Sequence, residues 1–542
     1  QGNRAQGNRA QGYRAQGYRA PGYRLFESEE KSVQVRDPRD LQRVPLPRVG
    51  PPLTVTRRRS ARRPTPLSLN ETIRVALANA EVVRFIGGQT ASSSGRTIYD
   101  IAISNTTIDR EKARFDPNIS VQNSFNRLEN AGATFDPNDP LRAILTGLRT
   151  DDFRTNASFN KTTRNGATAA MNFAASPTRV HSGNGPLNPQ SSSSAELSWT
   201  QPLLQGAGRQ ANEAPIVVAR INTERSYFQY KDSVQELVRS AIDGYWAVVG
   251  AQVDVWARRQ QIIQAEAALA KAESEFKNER ANVGEPAQTL VALTGFQAAL
   301  VLAEGTLLNR EAALRNLLGM PPIDQSELIP YTAPIRERLE INWEELIELA
   351  EVNRPDLIEL KLILEADTQL LGQARNQALP RLDTAFRYRW NGLEGEMLDG
   401  SRLRSRAGQF ADWTMAVNFS VPFGLRQNRA SLRQQQLNIA RDRANLQQAL
   451  HQITHQLALN VRNLDQFFAQ YEAFKATRAA AEINLNLQRS VYGGGEAIML
   501  DVLLAITSWG NAVSNEAQSL IQYNTALADL ERQTGTILES HG

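Results

Sequence analysis

Two stretches of the chain, each of about 70 residues, have the spacing of coiled-coil helices and few residues that would interrupt a helix. The first, at 209–281, contains Pro215 as its one strong breaker. Its apolar stripe is Val234, Val238, Ala241, Tyr245, Val249, Val253 and Trp256. The stripe of the second is Ile453, Leu457, Val461, Leu464, Phe468 and Tyr471. A helix of about 70 residues is about 100 Å long, so we predict a coiled coil or a tube of helices.

The chain repeats itself once, with its elements in the same order. Residues 67–79 carry the helical pattern of residues 341–353, and Asn79 aligns with Asn353. Each half then has a polar loop between two strands, a long helix, a turn containing glycine, and a return helix. We predict a first repeat at 67–322, a linker at 323–340 and a second repeat at 341–540.

Prolines mark the strands of each half. A helix ends in an Ala-Arg pair, and Pro117 or Pro380 then opens a strand. A second strand ends at Pro202 or Pro422. Proline lacks the amide hydrogen that a helix interior needs, so it marks the change of structure. Apolar and polar residues alternate in these strands, which predicts a sheet with one apolar and one polar face.

Residues 1–66 are predicted to be a disordered basic tail. They begin with a five-residue repeat rich in Gln, Gly and Arg, which has too little apolar surface to offset the entropy of ordering. No aromatic stacking platform or zinc-finger spacing accompanies the arginines, so no nucleic acid is expected as a partner. The chain begins at Gln1 without an apolar leader, so we expect a secretory signal to have been removed or omitted.

Composition excludes several kinds of chemistry. The chain has no cysteine and four histidines, and His451 and His455 lack an acidic third ligand, so a solvated helix face is favoured over a metal site. No catalytic or cofactor-binding motif is present. No run of about 18 apolar residues predicts a transmembrane helix, but a transmembrane strand needs only about 9–11 residues, alternately apolar.

The order of the elements resembles that of the TolC-like outer membrane efflux family. Three short sequences also resemble motifs of that family. They are QPLLQGAGRQ at 201–210, LLGM at 317–320 and NRPDL at 353–357. The resemblance covers residues 67–540. It implies an α+β membrane protein and a homotrimer, in which each protomer gives about four strands to a shared β-barrel. A long periplasmic α-helical barrel would continue it.

The resemblance also implies a function. The chain would be an outer-membrane channel subunit of a tripartite efflux or type I secretion system, in contact with outer-membrane lipid and extending into the periplasm. It would conduct cargo passively from a periplasmic adaptor protein and an inner-membrane pump to the outside. No enzyme activity and no cofactor are expected.

The family's adaptors meet the turns between the long helices. The matching residues are Val283, Gly284, Glu285, Pro286, Tyr492, Gly493, Gly494, Gly495 and Glu496. The glycines of these turns are also explained by turn geometry alone. Asp501 matches one acid of the family's periplasmic gate, whereas Leu504 and Ala497 replace its second acid and its arginine. Asp501 is therefore a candidate gate residue or an ordinary solvated aspartate.

The first half has nearly 70 residues between its two matched strands. They contain further alternating stretches at 153–159 and 169–173, which predict an inserted hairpin. This hairpin could lie above the membrane or add strands to the barrel, and the sequence does not decide between these positions.

Two other classes of protein share some of these features. An enzyme would need a compact core, which the long stripes disfavour. A soluble periplasmic coiled-coil protein, such as an adaptor or spacer, would share the helices but not the strand pairs that end at Pro202 and Pro422.

Overall fold

A computed structural model describes residues 49–56, 63–88, 90–181, 185–279, 282–324, 326–494 and 496–541 of the 542-residue chain. The chain forms two units, residues 1–50 and residues 51–542, and every element below belongs to the second unit. Gly495, predicted as a tip residue, lies outside the described residues.

Long helices make up most of the second unit. The helices are α1 Leu69–Ala78, α2 Tyr99–Lys112, α3 Arg209–Lys277, α4 Gly284–Leu317, α5 Trp343–Asn353, α6 Pro355–Gln377, α7 Arg426–Gly494, α8 Met499–Thr534 and α9 Ile537–His541. Both α3 and α7 contain 69 residues, which confirms the two predicted long helices and their matching place in the two halves. At 1.5 Å per residue each is about 100 Å long.

The strands fall into three sheets. They are β1 Arg63–Leu67, β2 Val82–Gly87, β3 Thr90–Thr97, β4 Asn118–Asp136, β5 Asp139–Thr162, β6 Thr168–His181, β7 Gln190–Pro202, β8 Ser326–Pro330, β9 Arg381–Glu396, β10 Arg402–Arg404 and β11 Phe410–Ser420. β1 pairs with β8 in parallel, β2 pairs with β3, and the other strands form one sheet.

The large sheet corrects the prediction of about four strands. Its long strands are antiparallel neighbours in the order β4, β5, β6, β7, β9, β11, with the short β10 also paired to β9. The inserted segment of the first half supplies β5 and β6, because its alternating residues pair with a strand on each side. The sheet therefore has six long strands.

Return helices pack beside the long helices. α4 packs on α3 and α8 packs on α7, while α3 also contacts α6 and α8. A core around the middle of α3 includes Val238, Tyr245, Leu314 and Ile537, all nearly inaccessible to solvent. The two repeats are thus held together by side chains from both.

The end of the predicted tail is ordered. Residues 63–66 lie in β1, and Leu67 is buried against the core. The predicted boundary at 66 therefore falls inside a strand, because β1 satisfies its backbone groups by pairing with β8 in the segment between the repeats.

One helix has the composition of a membrane span, contrary to the expectation from uninterrupted apolar runs. α4 contains an 18-residue window with mean hydropathy 1.6, and 17% of that window is buried. Its exposed side chains include Val291, which is 72% accessible, and Leu302, which is 73% accessible. A single chain therefore leaves an apolar face on α4 uncovered.

Candidate functional site

The large sheet has one apolar face and one polar face. One row of paired residues crosses all six long strands on the apolar face: Ile119, Phe159, Met171, Leu197, Tyr388 and Trp413. The adjacent row on the opposite face is Ser120, Ser158, Asn172, Glu196, Arg389 and Asp412. Ile119 is 72% exposed and Trp413 is 67% exposed, so the chain's own elements do not cover the apolar face. One side suits an apolar medium and the other suits water.

The polar row is internally hydrogen-bonded. The hydroxyls of Ser120 and Ser158 lie 2.6 Å apart. The carboxylate of Asp412 accepts one hydrogen bond from Arg389 at 3.0 Å and another from the side-chain amide of Asn391 at 2.8 Å. Charges of both signs thus lie along this face, as expected for a surface that lines an aqueous passage.

A charged cluster interrupts the apolar face at the level where β6 ends. Asp151 accepts from Arg127 at 2.9 Å and from Arg149 at 3.0 Å, and His181 lies 2.9 Å from its carboxylate. β6 ends at His181, and beyond this level β4 and β5 continue as a paired ribbon, residues 130–148. The part of the apolar face that all six long strands share therefore has a charged border on this side.

The QPLLQGAGRQ motif forms the junction between sheet and helices. Gly206 and Gly208 both have positive φ, 83° and 93°, which glycine adopts without steric cost. The amide of Gly206 donates to the side chain of Asn376 at 2.8 Å, and that of Gly208 donates to the carbonyl of Asn165 at 3.2 Å. The motif thus ties the start of α3 to the end of α6 and to the turn between β5 and β6.

The structure brings the ends of the two long helical hairpins together at Tyr492. Its hydroxyl donates to Glu275 at 2.6 Å and lies 3.4 Å from a carboxylate oxygen of Glu285. The Lys271 ammonium lies 4.5 Å from the centre of the Tyr492 ring. Burial, followed by the hydrogen bond to Glu275, raises the pKa of Tyr492, so the hydroxyl remains a donor at neutral pH. We call this contact the Tyr492 latch.

The other predicted tip residues lie around this latch. Val283 is 71% exposed just before α4, and Gly284, Glu285 and Pro286 begin that helix. Gly493 and Gly494 end α7, and the amide of Glu496 donates back to the carbonyl of Val491 at 3.1 Å. The sequence marked Tyr492 as a tip residue but gave no sign of its partners, which lie 217 and 207 positions away.

Asp501 lies in the first turn of α8, and its amide donates to the carbonyl of Ile498 at 3.1 Å. Leu504, at the place of the family's second acid, is 57% exposed. The rings of His451 and His455 are 4.5 Å apart, but the described residues contain no group of three or more potential metal ligands.

A charged network that the sequence did not reveal joins α3 to α8. Arg239 contacts Asp243 at 2.6 Å, Glu236 at 2.7 Å and Asp529 at 3.2 Å. Burial is the main cause that raises the pKa of Asp243 to about 7, and Asp529 and Glu236 raise it further, against the opposing effect of Arg239.

This pKa predicts a pH-dependent stability. Between about pH 4 and pH 7 the folded chain keeps a proton on Asp243 that the unfolded chain has lost, so the folded state loses stability as pH rises through this window. Asp243→Asn removes the ionisation. We measure the guanidinium midpoint of unfolding for the variant and for the unmodified protein. We expect the midpoint of the variant minus that of the unmodified protein to be larger at pH 8 than at pH 5.

The exposed Glu273 on the same helix provides the control, since Glu273→Gln also removes one negative charge. An equal effect of Asp243→Asn at both pH values would contradict the proposed titration of Asp243.

Comparisons with known proteins agree with this architecture. The family model "Outer membrane efflux protein" matches residues 346–536. The outer membrane protein TolC of Escherichia coli K12 is 25% identical over 328 residues. That alignment covers 57% of this chain and 63% of TolC, so the chain matches less than two thirds of that relative.

Solved structures extend the similarity to most of the chain. A membrane protein from Pseudomonas aeruginosa is similar with TM-score 0.59 and 18% identity, over 86% of this chain and 93% of that chain. The CmeC outer membrane channel of Campylobacter jejuni is similar with TM-score 0.58 and 14% identity, over 86% of each chain. At these identities the similarity shows the fold. Together with the match in the second repeat, it shows that the chain is similar in fold and in part of its sequence to TolC-like outer membrane efflux proteins.

Proposed function

We propose that three copies of this chain form a passive channel through the outer membrane, as part of a tripartite efflux or type I secretion system. Cargo would enter at the helical tips from a periplasmic adaptor and an inner-membrane pump, and would leave through a barrel made of the three large sheets. We expect no enzyme activity, because the family that matches the second repeat consists of outer membrane efflux proteins.

The two-faced sheet is the observation that carries this proposal. Its apolar row crosses six strands and is exposed, while the polar row on the other side combines serines, amides and both signs of charge. A membrane strand needs only about 9–11 residues, and all six long strands reach that length. Lipid on one side and water on the other account for both rows.

The need for further copies follows from the edges of the sheet. Within the described part of the chain, β4 and β11 each pair along one side. Unpaired backbone groups in lipid cost several kcal/mol each, and closure of the sheet is what satisfies them. The uncovered apolar face of α4 gives the helical part a surface for a second copy as well. Both features support a closed homotrimer.

The tips supply the proposed entrance. The Tyr492 latch holds the two hairpins of one protomer together, which corresponds to a closed entrance. Exposed Val283 and the glycines at the end of α7 leave backbone accessible to an adaptor helix. Asp501, near the start of α8, is retained as a candidate gate residue whose three copies would attract cations.

Two arginine substitutions on one strand test the membrane assignment. Leu197→Arg places a charge on the apolar face, at a cost of roughly 2–4 kcal/mol per copy near the middle of a bilayer. We expect it to abolish heat-modifiable trimers in outer-membrane fractions and channels in planar bilayers. Ser194→Arg, on the polar face of the same strand, should retain both. Recovery of the unmodified protein as a soluble monomer, or equal behaviour of the two variants, would reject the proposal.

A further inference from the structure

The inserted segment of the first repeat crosses the whole height of the large sheet. β5 pairs with β4 from Asn118 to Asp136 and β6 pairs with β7 from Thr168 to Thr178, so both strands run through the same levels as their neighbours. Phe159 and Met171 continue the apolar row, and Ser158 and Asn172 continue the polar row. The insertion therefore has the two-faced pattern of the rest of the sheet.

The turn between β5 and β6 is fixed at the junction with the helices. Arg164 lies 3.4 Å from Glu213 of α3, and the carbonyl of Asn165 accepts from the amide of Gly208. Gly166 has φ of 89°, and a Cβ there would lie 2.1 Å from the carbonyl oxygen of Gly206. The segment thus returns to the helical side of the sheet instead of remaining beyond its far end.

β5 and β6 also connect the two parts of the sheet. β4 pairs with β5, β6 pairs with β7, and β5 pairs with β6 in one register on both sides of residues 153–154. Ser120 and Glu196 are separated by three strand spacings, about 14 Å at 4.8 Å per strand. The hairpin is an internal part of the sheet, and the free edges are β4 and β11.

We propose that three copies close an eighteen-strand barrel and that its exit therefore admits solutes too wide for a barrel with four strands per protomer. This inference rests on the proposed channel and concerns the width of its outer part. With strands about 4.8 Å apart and tilted by about 40°, the backbone diameter is about 36 Å for eighteen strands and about 24 Å for twelve. The cross-section is then about twice as large, which suits solutes wider than a single α-helix of about 10–12 Å.

Disulfide scanning tests the strand order, and the absence of native cysteine provides a clean background. Ser120→Cys with Ser158→Cys should crosslink within one chain, because these residues are direct neighbours. Ser120→Cys combined in turn with cysteine at alternate positions 412–420 of β11 should give covalent trimers for at least one pair. Crosslinking of Ser120→Cys to Glu196→Cys would overturn the inference, since it requires β4 to lie beside β7.

Polymer exclusion tests the width. Polyethylene glycols of graded size are added to the barrel side of channels in planar bilayers, where they alter conductance if they enter the barrel. In a four-strand variant, Asn-Gly replaces residues 127–189 and joins β4 directly to β7. Asn126 and Gln190 lie in the same row across the sheet, so the new turn connects positions at equal height. We expect its exclusion radius to fall by about one third.

A six-strand control removes only the outer ribbon and keeps β5 and β6 in the sheet. Replacing the ribbon, residues 130–148, by Asn-Gly should leave the exclusion radius unchanged. If the unmodified protein and the four-strand variant form channels with equal exclusion radii, the inference is wrong while the channel proposal stands. Absence of trimers and channels in the unmodified protein would instead reject the channel proposal. If the four-strand variant does not assemble, the disulfide scan on the full chain decides.

Discussion

Replacing Tyr492 by phenylalanine is expected to open the closed tip and to raise the mean conductance per channel in planar bilayers several-fold, because more of the channels are open. The substitution keeps the ring under Lys271 but removes the hydroxyl that donates to Glu275 at 2.6 Å. A hydrogen bond to a charged group contributes roughly 1.5–3 kcal/mol. Three such latches in a trimer amount to roughly 5–9 kcal/mol, enough to change the ratio of closed to open channels by more than about a thousandfold.

Two variants control for other causes of opening. Glu275→Gln retains an oxygen that can accept from Tyr492, so its conductance should rise less. Tyr471→Phe removes the hydroxyl of another buried tyrosine on α7, one that has no hydrogen bond within the described residues, and should behave as the unmodified protein. An intact Tyr492→Phe trimer with unchanged conductance would show that the latch does not hold the tip closed.

Gly535→Ala is expected to lower the free energy of unfolding by about 2–5 kcal/mol, because backbone strain and steric overlap act together. Gly535 ends α8 with φ of 80°, and the next amide, that of Thr536, donates to the carbonyl of Glu531 at 2.9 Å. A Cβ at Gly535 would lie 2.7 Å from the carbonyl carbon and oxygen of Asn353. Backbone atoms cannot rotate away as a flexible side chain can, so the junction of α5 and α6 would have to move.

Gly400→Ala separates the two causes. Gly400 has nearly the same φ, 81°, but no atom would lie within 4 Å of an added Cβ. This control should lose only the backbone contribution of about 1–2 kcal/mol. Guanidinium titration of the detergent-solubilised proteins measures both values. Equal losses for the two variants would contradict the contact between Gly535 and Asn353.

Periodic features of the chain were predictable from the sequence. The stripe from Val234 to Trp256 has the spacing of a long helix over many turns, and the prolines at 202 and 422 mark the ends of strands locally. Each of these signals is contained in neighbouring residues, so no knowledge of tertiary contacts is needed. The duplication supports these predictions of helices and strands, because the same order of elements occurs twice.

Contacts between distant parts of the chain were not predictable in this way. The position of β5 and β6 depends on Gly166 fitting beside Gly206, some 40 residues later. The pKa of Asp243 depends on Asp529, and the latch of Tyr492 depends on Glu275. In each case the local sequence permits the contact but does not specify it. A count of four strands was therefore reasonable from the matched pairs and wrong for the folded chain.

The ribbon at residues 130–148 has a practical consequence. Its two strands pair with each other beyond the level at which β6 ends, and Leu141 and Leu145 are 97% and 87% exposed. Substitutions there remove little packing, so this segment can diversify during evolution at small cost to folding. The turn at Asp136–Asp139 is accordingly the point at which an inserted epitope should disturb the fold least.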